Sequence, residues 1–187
     1  MPWARIKRTK KPPVPHDPAW AQAFVKERET VSNILGMDAV GIHHVGSTAI
    51  PGILAKPVID ILIEAASLEA LDRKHAAFRK AGFVGKGEKG IEGRRYFIKD
   101  NEKGVRSHHI HAFEKGSPHI ERHLAFRDYL LAHPDVARAY SQVKERILAD
   151  WRGIDDYIER KASFVVETER AALEWYRARS PVEGSQD

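Results

Sequence analysis

The spacing of apolar residues predicts a mixed α+β (α/β) architecture, because helical and extended periodicities alternate over the first 115 residues. Trp20, Phe24 and Val31 recur at helical spacing, whereas the apolar run over residues 56–64 is nearly continuous, as in a strand buried on both faces. The predicted elements are a helix over 18–35, strands over 39–45 and 56–64, an amphipathic helix over 67–81, and a hairpin of strands over 94–99 and 106–113. Together they predict a mixed sheet core with flanking helices.

Helical spacing continues from Ser117 to the last residues of the chain. His133-Pro134 and Arg152-Gly153 interrupt it, so the pattern predicts a C-terminal part of three helices near 119–132, 135–150 and 154–178. No segment is long or polar enough to act as a linker between independent domains. We therefore predict a single domain over 16–179, with its sheet core up to about residue 115 and its helical part over 118–178.

The charge of the chain is unevenly distributed. Its 187 residues include 31 Lys+Arg and 26 Asp+Glu, for a formal net charge of +5. The first 13 residues hold five basic and no acidic residues, which leaves the remainder neutral. With its prolines, this segment predicts a disordered basic arm over 1–15, and residues 180–187 predict a frayed tail. Because the surplus is confined to the arm, the net charge gives little support to nucleic acid as a partner.

The composition excludes several classes of chemistry and location. The chain has no cysteine, so it has no disulfides, thiolate zinc sites or cysteine nucleophiles. A membrane span needs roughly 20 apolar residues, and no such run occurs. We expect a cytoplasmic protein without a membrane partner.

The turn after the first predicted strand is the strongest anion-binding motif in the chain. Gly46 permits close approach of a ligand, and Ser47 supplies a hydroxyl beside backbone N–H groups. Thr48 and Lys56 complete the predicted phosphate-binding set. Asp60 lies in the next, otherwise apolar strand, where a carboxylate needs a partner and could hold a metal ion on a bound phosphate. Turn formation alone, or a structural ion pair of Asp60, is the alternative interpretation.

The glycine spacing excludes two common nucleotide-binding loops. Gly46 and Gly52 enclose five residues and Ile53 follows, which does not match a Walker-type loop. A glycine dinucleotide fingerprint is also missing from the sequence.

Several segments together are similar to the GrpB family, whose members have a nucleotidyltransferase-like fold related to the DNA polymerase beta-like superfamily. The resemblance runs from about Val14 to Tyr176. It is carried by VPHDPAWAQAFVKERE, HHVGSTAIPGILAKPVIDILIE, HHIHAF, HLAFRDYLLAHPDVARAYSQVK and YIERKASFV. The resemblance implies a nucleotidyltransferase-like mixed sheet and a site for a nucleotide or another phosphate-bearing small molecule.

The acidic residues depart from the superfamily pattern, which implies Gly-Ser followed on the next strand by two acids at positions i and i+2. Asp60 has the implied spacing from Gly46-Ser47, but Leu62 occupies the second position. Glu64 lies four residues beyond Asp60, roughly 13 Å along a strand, too far to chelate the same ion. The sequence therefore predicts an incomplete two-metal site.

Two histidines of the hairpin are candidates to replace the missing acid. Alternation along the strand places His109 and His111 on one face. If that strand neighbours Asp60, the three side chains form a site suited to a transition metal such as Zn²⁺ or Mn²⁺ rather than Mg²⁺. Phosphate binding, proton transfer and a structural role in the strand are the alternatives.

Two further groups of side chains have a functional and a structural interpretation. Arg94, Arg95 and Arg106 flank the hairpin as an anion clamp or a solvated sheet edge. His119 and His123 have a spacing on their helix that suits a metal, but the sequence offers no third ligand.

Three functions remain open from the sequence. The first is metal-dependent nucleotidyl or phosphoryl transfer, in which Asp60, Ser47, His109 and His111 take part. The second is an inactive binding or accessory module, and here the resemblance implies a link to coenzyme A biosynthesis because some GrpB-like domains are fused to dephospho-coenzyme A kinase. The third and weakest is RNA binding through the basic arm. The sequence identifies no protein partner.

Overall fold

Five strands form one mixed sheet flanked by seven helices in residues 11–179, the part of the chain that the computed structural model describes. The strands are β1 (Ala39–Val45), β2 (Ile59–Ala65), β3 (Val84–Gly85), β4 (Arg95–Asp100) and β5 (Arg106–Glu114). The helices are α1 (Ala19–Leu35), α2 (Leu68–Asp72), α3 (His75–Lys80), α4 (Pro118–Ala132), α5 (Pro134–Ala149), α6 (Ile154–Arg160) and α7 (Ala162–Arg179). The predicted α+β class is confirmed.

The order of the strands brings β2 and β5 together at the centre of the sheet. The order is β1-β2-β5-β4-β3, with β2 parallel to β5 and the other neighbouring pairs antiparallel. The predicted hairpin is confirmed as β4 and β5. Asp60 pairs in register with His109, so residues distant in sequence share the middle of the sheet.

Five of the seven residues of strand β2 are buried, and they lie on both faces of the sheet. Ile61 and Ile63 belong to the larger core, which includes residues of α1 and α3, whereas Leu62 packs with Val45 and Phe113 on the face covered by α4. Asp60 is only partly covered although it lies within this apolar strand. Burial on the second face is confirmed at Leu62, whereas Asp60 and Glu64 on that face are only partly buried, and Asp60 marks the site.

The helical part is anchored to the segment that follows the Gly46–Ser47 turn. Ile50 and Ile53 of that segment pack against Tyr140 of α5 in a second core cluster. The hydroxyl of Ser141 accepts a hydrogen bond of 3.0 Å from the backbone N–H of Leu54. Helices α4 and α7 lie side by side and are joined by the ion pair of Glu121 with Arg177. The helices therefore form one wall of the cleft above β2.

Three predicted boundaries were wrong. Strand β2 begins at Ile59 rather than residue 56, since Pro57 has no N–H to donate to a sheet ladder. The helix predicted over 67–81 is two helices, α2 and α3, because the buried residues Leu71 and Phe78 lie on either side of the exposed His75. The last predicted helix is also divided, at Lys161, so the C-terminal part has four helices rather than three.

The predicted arm is shorter than residues 1–15. Val14 exchanges two backbone hydrogen bonds with Ala55, at 2.8 and 3.0 Å, and Pro13 is buried. Residues 1–10 of the predicted arm and the predicted frayed tail, 180–187, lie outside the described residues.

The helices between residues 11 and 179 include none that is long and apolar enough to cross a membrane. The cytoplasmic location stays a prediction.

A buried ion pair ties α1 to β4. The carboxylate of Glu27, with 5% of the residue exposed, accepts a hydrogen bond of 2.7 Å from the ammonium group of Lys99. We expect Glu27→Ala to lower the free energy of unfolding by about 2 kcal/mol or more, because it leaves the Lys99 charge without its partner. Urea unfolding measures the loss. The matched control is Glu29→Ala, an exposed glutamate on the same helix, for which we expect a change within about 0.5 kcal/mol. Equal losses of unfolding free energy in the two variants would contradict a stabilising role for the Glu27–Lys99 ion pair.

Candidate functional site

The carboxylate of Asp60 lies against the backbone of Gly46 at the junction of β1 and β2. Val45 pairs with Asp60 in the sheet, so Gly46 follows directly beside it. A Cβ on Gly46 would be 2.5 Å from Oδ2 of Asp60, and Gly46 has a φ of +72° that side chains disfavour. The glycine predicted for close ligand approach is therefore required, in the first place, by the carboxylate.

Asp60, His109 and His111 converge on one face of the sheet. Nδ1 of His109 lies 3.1 Å, and Nε2 of His111 lies 3.6 Å, from Oδ1 of Asp60. Burial pushes the pKa of Asp60 upward, but hydrogen bonds from the two histidines outweigh it and hold that pKa well below its usual value. The strand of His109 and His111 therefore neighbours Asp60, which is the condition that the sequence analysis set for a shared site, and Asp60 is an anion at neutral pH.

The three side chains are close enough together to hold one metal ion. A ligand atom from each lies within 4.8 Å of the others, and a carboxylate with two imidazoles is a donor set for a transition metal. The position of the missing acid offers no ligand for a second metal ion, because it is occupied by Leu62, which is fully buried beside Phe113. Glu64 does not line the cleft.

The far sides of the two imidazoles face arginines. Nε2 of His109 is 3.5 Å from Nη1 of Arg106, and Nδ1 of His111 is 3.4 Å from Nη1 of Arg94. A metal-bound histidine normally donates its other N–H to an acceptor, whereas a guanidinium group is itself a donor. Metal binding through the Asp60 side of the rings would therefore require these two guanidinium groups to turn away.

The hydroxyl of Ser47 is held by a lysine that the sequence analysis missed. Lys144 of α5 is fully buried, and its Nζ donates to Oγ of Ser47 at 2.8 Å and to the carbonyl of Leu54 at 2.7 Å. Because Oγ accepts from Lys144, the hydroxyl hydrogen of Ser47 is available to another acceptor. Burial, followed by the charges of Lys161 and Lys56, lowers the pKa of Lys144 to about 6.

A signal for Lys144 is present in the sequence. Ala137, Tyr140, Lys144 and Ile147 follow one another at helical spacing and all four are buried. A lysine inside an apolar helical stripe needs a polar partner, which marks it as a candidate for a site.

A cleft of about 340 Å³ collects these groups. The Gly46–Ser47 turn and Asp60 form one side, and α4–α7 contribute Arg122, Tyr140 and Lys161. Nε of Arg122 is buried and has no hydrogen-bond partner among residues 11–179. Glu169 also lines the cleft and pairs with Nη1 of Arg122 at 3.0 Å, so the cleft joins two carboxylates to a larger number of cations and aromatic rings, an arrangement suited to an anionic ligand with an apolar body.

Two residues of the predicted phosphate-binding set also line the cleft. The hydroxyl of Thr48 is 2.9 Å from Nε2 of His44, whose pKa burial lowers to about 4, so its contact is with a neutral ring. The ammonium group of Lys56 lies 5.8 Å from the ring centre of Tyr157. Both therefore stand at the cleft, and their predicted role in phosphate binding stays a prediction.

Other candidates from the sequence have separate roles. Arg94 and Arg106 are buried against the histidines, so the sheet-edge interpretation is wrong for them, whereas Arg95 forms an ion pair of 2.7 Å with Asp72. Among residues 11–179 no third ligand joins His119 and His123, and Nδ1 of His123 donates to the carbonyl of His119 at 2.6 Å.

The sequence of this chain is similar to a protein-family model and to curated proteins. A family model described as "GrpB protein" matches residues 14–171. The chain is 43% identical over 167 residues to the "UPF0157 protein YqkA" of Bacillus subtilis strain 168, which covers 89% of this chain and 48% of that protein. The chain therefore spans about half the length of this curated relative.

The structure of this chain is also similar to solved structures. The crystal structure of conserved protein GrpB from Enterococcus faecalis has a TM-score of 0.82 at 34% identity, covering 88% of this chain and 99% of that one. A structure of the Cid1 poly(U) polymerase with MgGTP bound has a TM-score of 0.51 at 13% identity, covering 71% of this chain and 44% of that one. This second likeness shows the nucleotidyltransferase-like fold.

The buried amino group of Lys144 predicts a pH dependence of stability. With a pKa of about 6 in the folded chain and an ordinary value of 10.5, Lys144 binds its proton more tightly when unfolded. Stability relative to Lys144→Met is therefore expected to rise with pH between these values, by at most about 1.4 kcal/mol per pH unit. Urea unfolding at several pH values measures the slope. In the control Lys26→Met, an exposed lysine of α1, we expect no such slope. A difference in unfolding free energy between the wild type and Lys144→Met that does not change with pH would refute the lowered pKa of Lys144.

Proposed function

This chain belongs to the GrpB family, and from that premise and the cleft geometry we propose that it binds a nucleotide or another phosphate-bearing small molecule and catalyses metal-dependent nucleotidyl or phosphoryl transfer. One observation carries the proposal. The Gly46–Ser47 turn, the Asp60–His109–His111 cluster and the two lysines Lys56 and Lys161 line the same cleft. Anion binding and metal binding would then occur side by side.

Different residues of the cleft bind a phosphate chain in different ways. The Ser47 hydroxyl donates to a phosphate oxygen, since its own oxygen is occupied by Lys144. Lys161, whose ammonium group is 3.4 Å from the hydroxyl of Tyr140, and Lys56 neutralise phosphate charge. Asp60, His109 and His111 would hold one divalent ion, which supplies Lewis-acid charge when bound.

Catalysis in this scheme rests on charge and position. Phosphoryl transfer needs little covalent participation by the protein, so fixed donors and cations around the phosphate can supply most of the stabilisation. The ring centres of Tyr140 and Tyr157 lie 6.0 and 5.6 Å from the ammonium group of Lys161, which reduces its contact with water and strengthens its attraction for an anion.

A binding module without catalysis is the second candidate, and Leu62 favours it. The residue is buried in the core beneath the site, where the superfamily pattern implies a carboxylate. In this case the chain binds its ligand through the same turn and lysines, as an accessory domain. Pyrophosphate release from nucleoside triphosphates separates the candidates, since only the enzyme would release it above background in an Asp60-dependent manner.

Calorimetric titration tests the shared binding site. We expect nucleoside triphosphates to bind with a contribution that depends on Mn²⁺, Zn²⁺ or Mg²⁺, and Asp60→Asn to abolish that contribution, because it removes the charged ligand between the two histidines. The matched control is Glu64→Gln, on the same strand but away from the cleft, for which we expect native binding. Metal-dependent binding that persists in Asp60→Asn would exclude Asp60 from the site.

A further inference from the structure

A second cavity lies on the hairpin side of His109 and His111. Its volume is about 230 Å³, and it shares these two histidines and Lys56 with the first cleft. Four more cationic residues line it, namely Lys86, Lys89, Arg94 and Arg106, of which Arg106 forms an ion pair of 2.6 Å with Asp100. Of the described residues that line it, none is acidic. We call this cavity the basic pocket.

Arg94 is the central cation of the basic pocket. Only 7% of the residue is exposed, and its guanidinium group donates to the carbonyls of Glu88 and Lys89 at 3.0 and 2.8 Å and approaches Nδ1 of His111. Within residues 11–179 no carboxylate pairs with it. A buried guanidinium group without a carboxylate is costly unless an anion reaches it.

We propose that the basic pocket binds the second substrate, and that this acceptor is a small molecule carrying a phosphomonoester group. This inference rests on the proposed transfer function, in which the first cleft holds the nucleotide. The histidines that the two cavities share then lie between donor and acceptor. Binding of the acceptor phosphate by Arg94 also draws its guanidinium group from His111, as metal binding requires.

A phosphate acceptor explains how the site works without a second carboxylate. A phosphomonoester carries nearly two negative charges at neutral pH, so its oxygen attacks without losing a proton, whereas an alcohol must be deprotonated by a base. In the step, an acceptor oxygen forms a bond to the α-phosphorus of the nucleotide. The bond from that phosphorus to the bridging oxygen of the β-phosphate breaks, and pyrophosphate leaves with the electron pair. The products are a phosphoanhydride and pyrophosphate.

The other walls of the basic pocket suit the organic part of such an acceptor. The ring of Tyr96 lies 4.9 Å from the Arg94 guanidinium carbon, and Ile98, Ile154 and Ile158 add apolar surface. A volume of about 230 Å³ accommodates a small molecule rather than a polymer.

Titration of the metal-free protein with phenyl phosphate tests the inference. We expect Arg94→Gln to weaken binding about tenfold or more, because a hydrogen-bonded charge pair is lost. Arg95→Gln is the matched control, since the adjacent arginine pairs with Asp72 instead, and we expect its affinity to stay within about twofold. Lys161→Met alters the first cleft but not the basic pocket, so any loss of phenyl phosphate affinity in this variant should be smaller than the loss in Arg94→Gln.

A second variant guards against an effect on folding, because Arg94 also holds the carbonyls of Glu88 and Lys89. The double variant Lys86→Gln with Lys89→Gln changes two exposed side chains and should also weaken binding about tenfold. Native affinity in both this variant and Arg94→Gln overturns the inference, as does the lack of binding at about 10 mM phenyl phosphate.

Further outcomes separate this inference from the proposed function. If Lys161→Met alone weakens phenyl phosphate binding, the phosphate lies in the first cleft, so the basic pocket is not its site while nucleotide binding stands. If a short RNA oligonucleotide displaces phenyl phosphate at far lower concentration, the small-molecule acceptor is wrong. Metal-dependent nucleotide binding that remains intact in Arg94→Gln, together with the loss of phenyl phosphate binding, supports two separate sites.

Discussion

A single carboxylate inside an apolar strand is the constraint on which the rest of the site depends. Asp60 lies between residues that are fully or almost fully buried, and a charge there must be compensated by close donors. The central position of β5 provides them, because its register places His109 opposite Asp60 and His111 two residues further. The same carboxylate requires a glycine at position 46, so the shape of the neighbouring turn follows from it.

The helical part contributes a buried lysine to the site that the sheet forms. Lys144 extends from α5 to the Ser47 hydroxyl, and its burial is compensated by that hydroxyl, the carbonyl of Leu54 and the ring of Tyr140 at 3.8 Å. The lysine therefore couples helix packing to the conformation of the turn. A structural contact between the two halves of the domain is also the contact that orients a donor into the cleft.

The electrostatic character of the site follows from the balance of these groups. One carboxylate stands between two cavities whose other charged side chains are almost all cationic, with Glu169 in the first as the exception. Leu62 reinforces this imbalance, because the position that the superfamily pattern gives to an acid belongs to the core with Phe113 and Ile120. Such a site favours anions on both sides of the histidines, and a metal ion would bind most readily together with them.

By itself the sequence determined the family, the α+β class, the Gly-Ser turn before Asp60 and the shared face of His109 and His111. These features are local, since residue spacing and strand alternation set them within short segments. Only the tertiary structure decided that β5 lies beside β2, that Lys144 reaches Ser47 and that Arg94 has no carboxylate partner among the described residues. Each of these depends on contacts between residues that are far apart in the chain, and residue spacing carries no information about which distant groups meet.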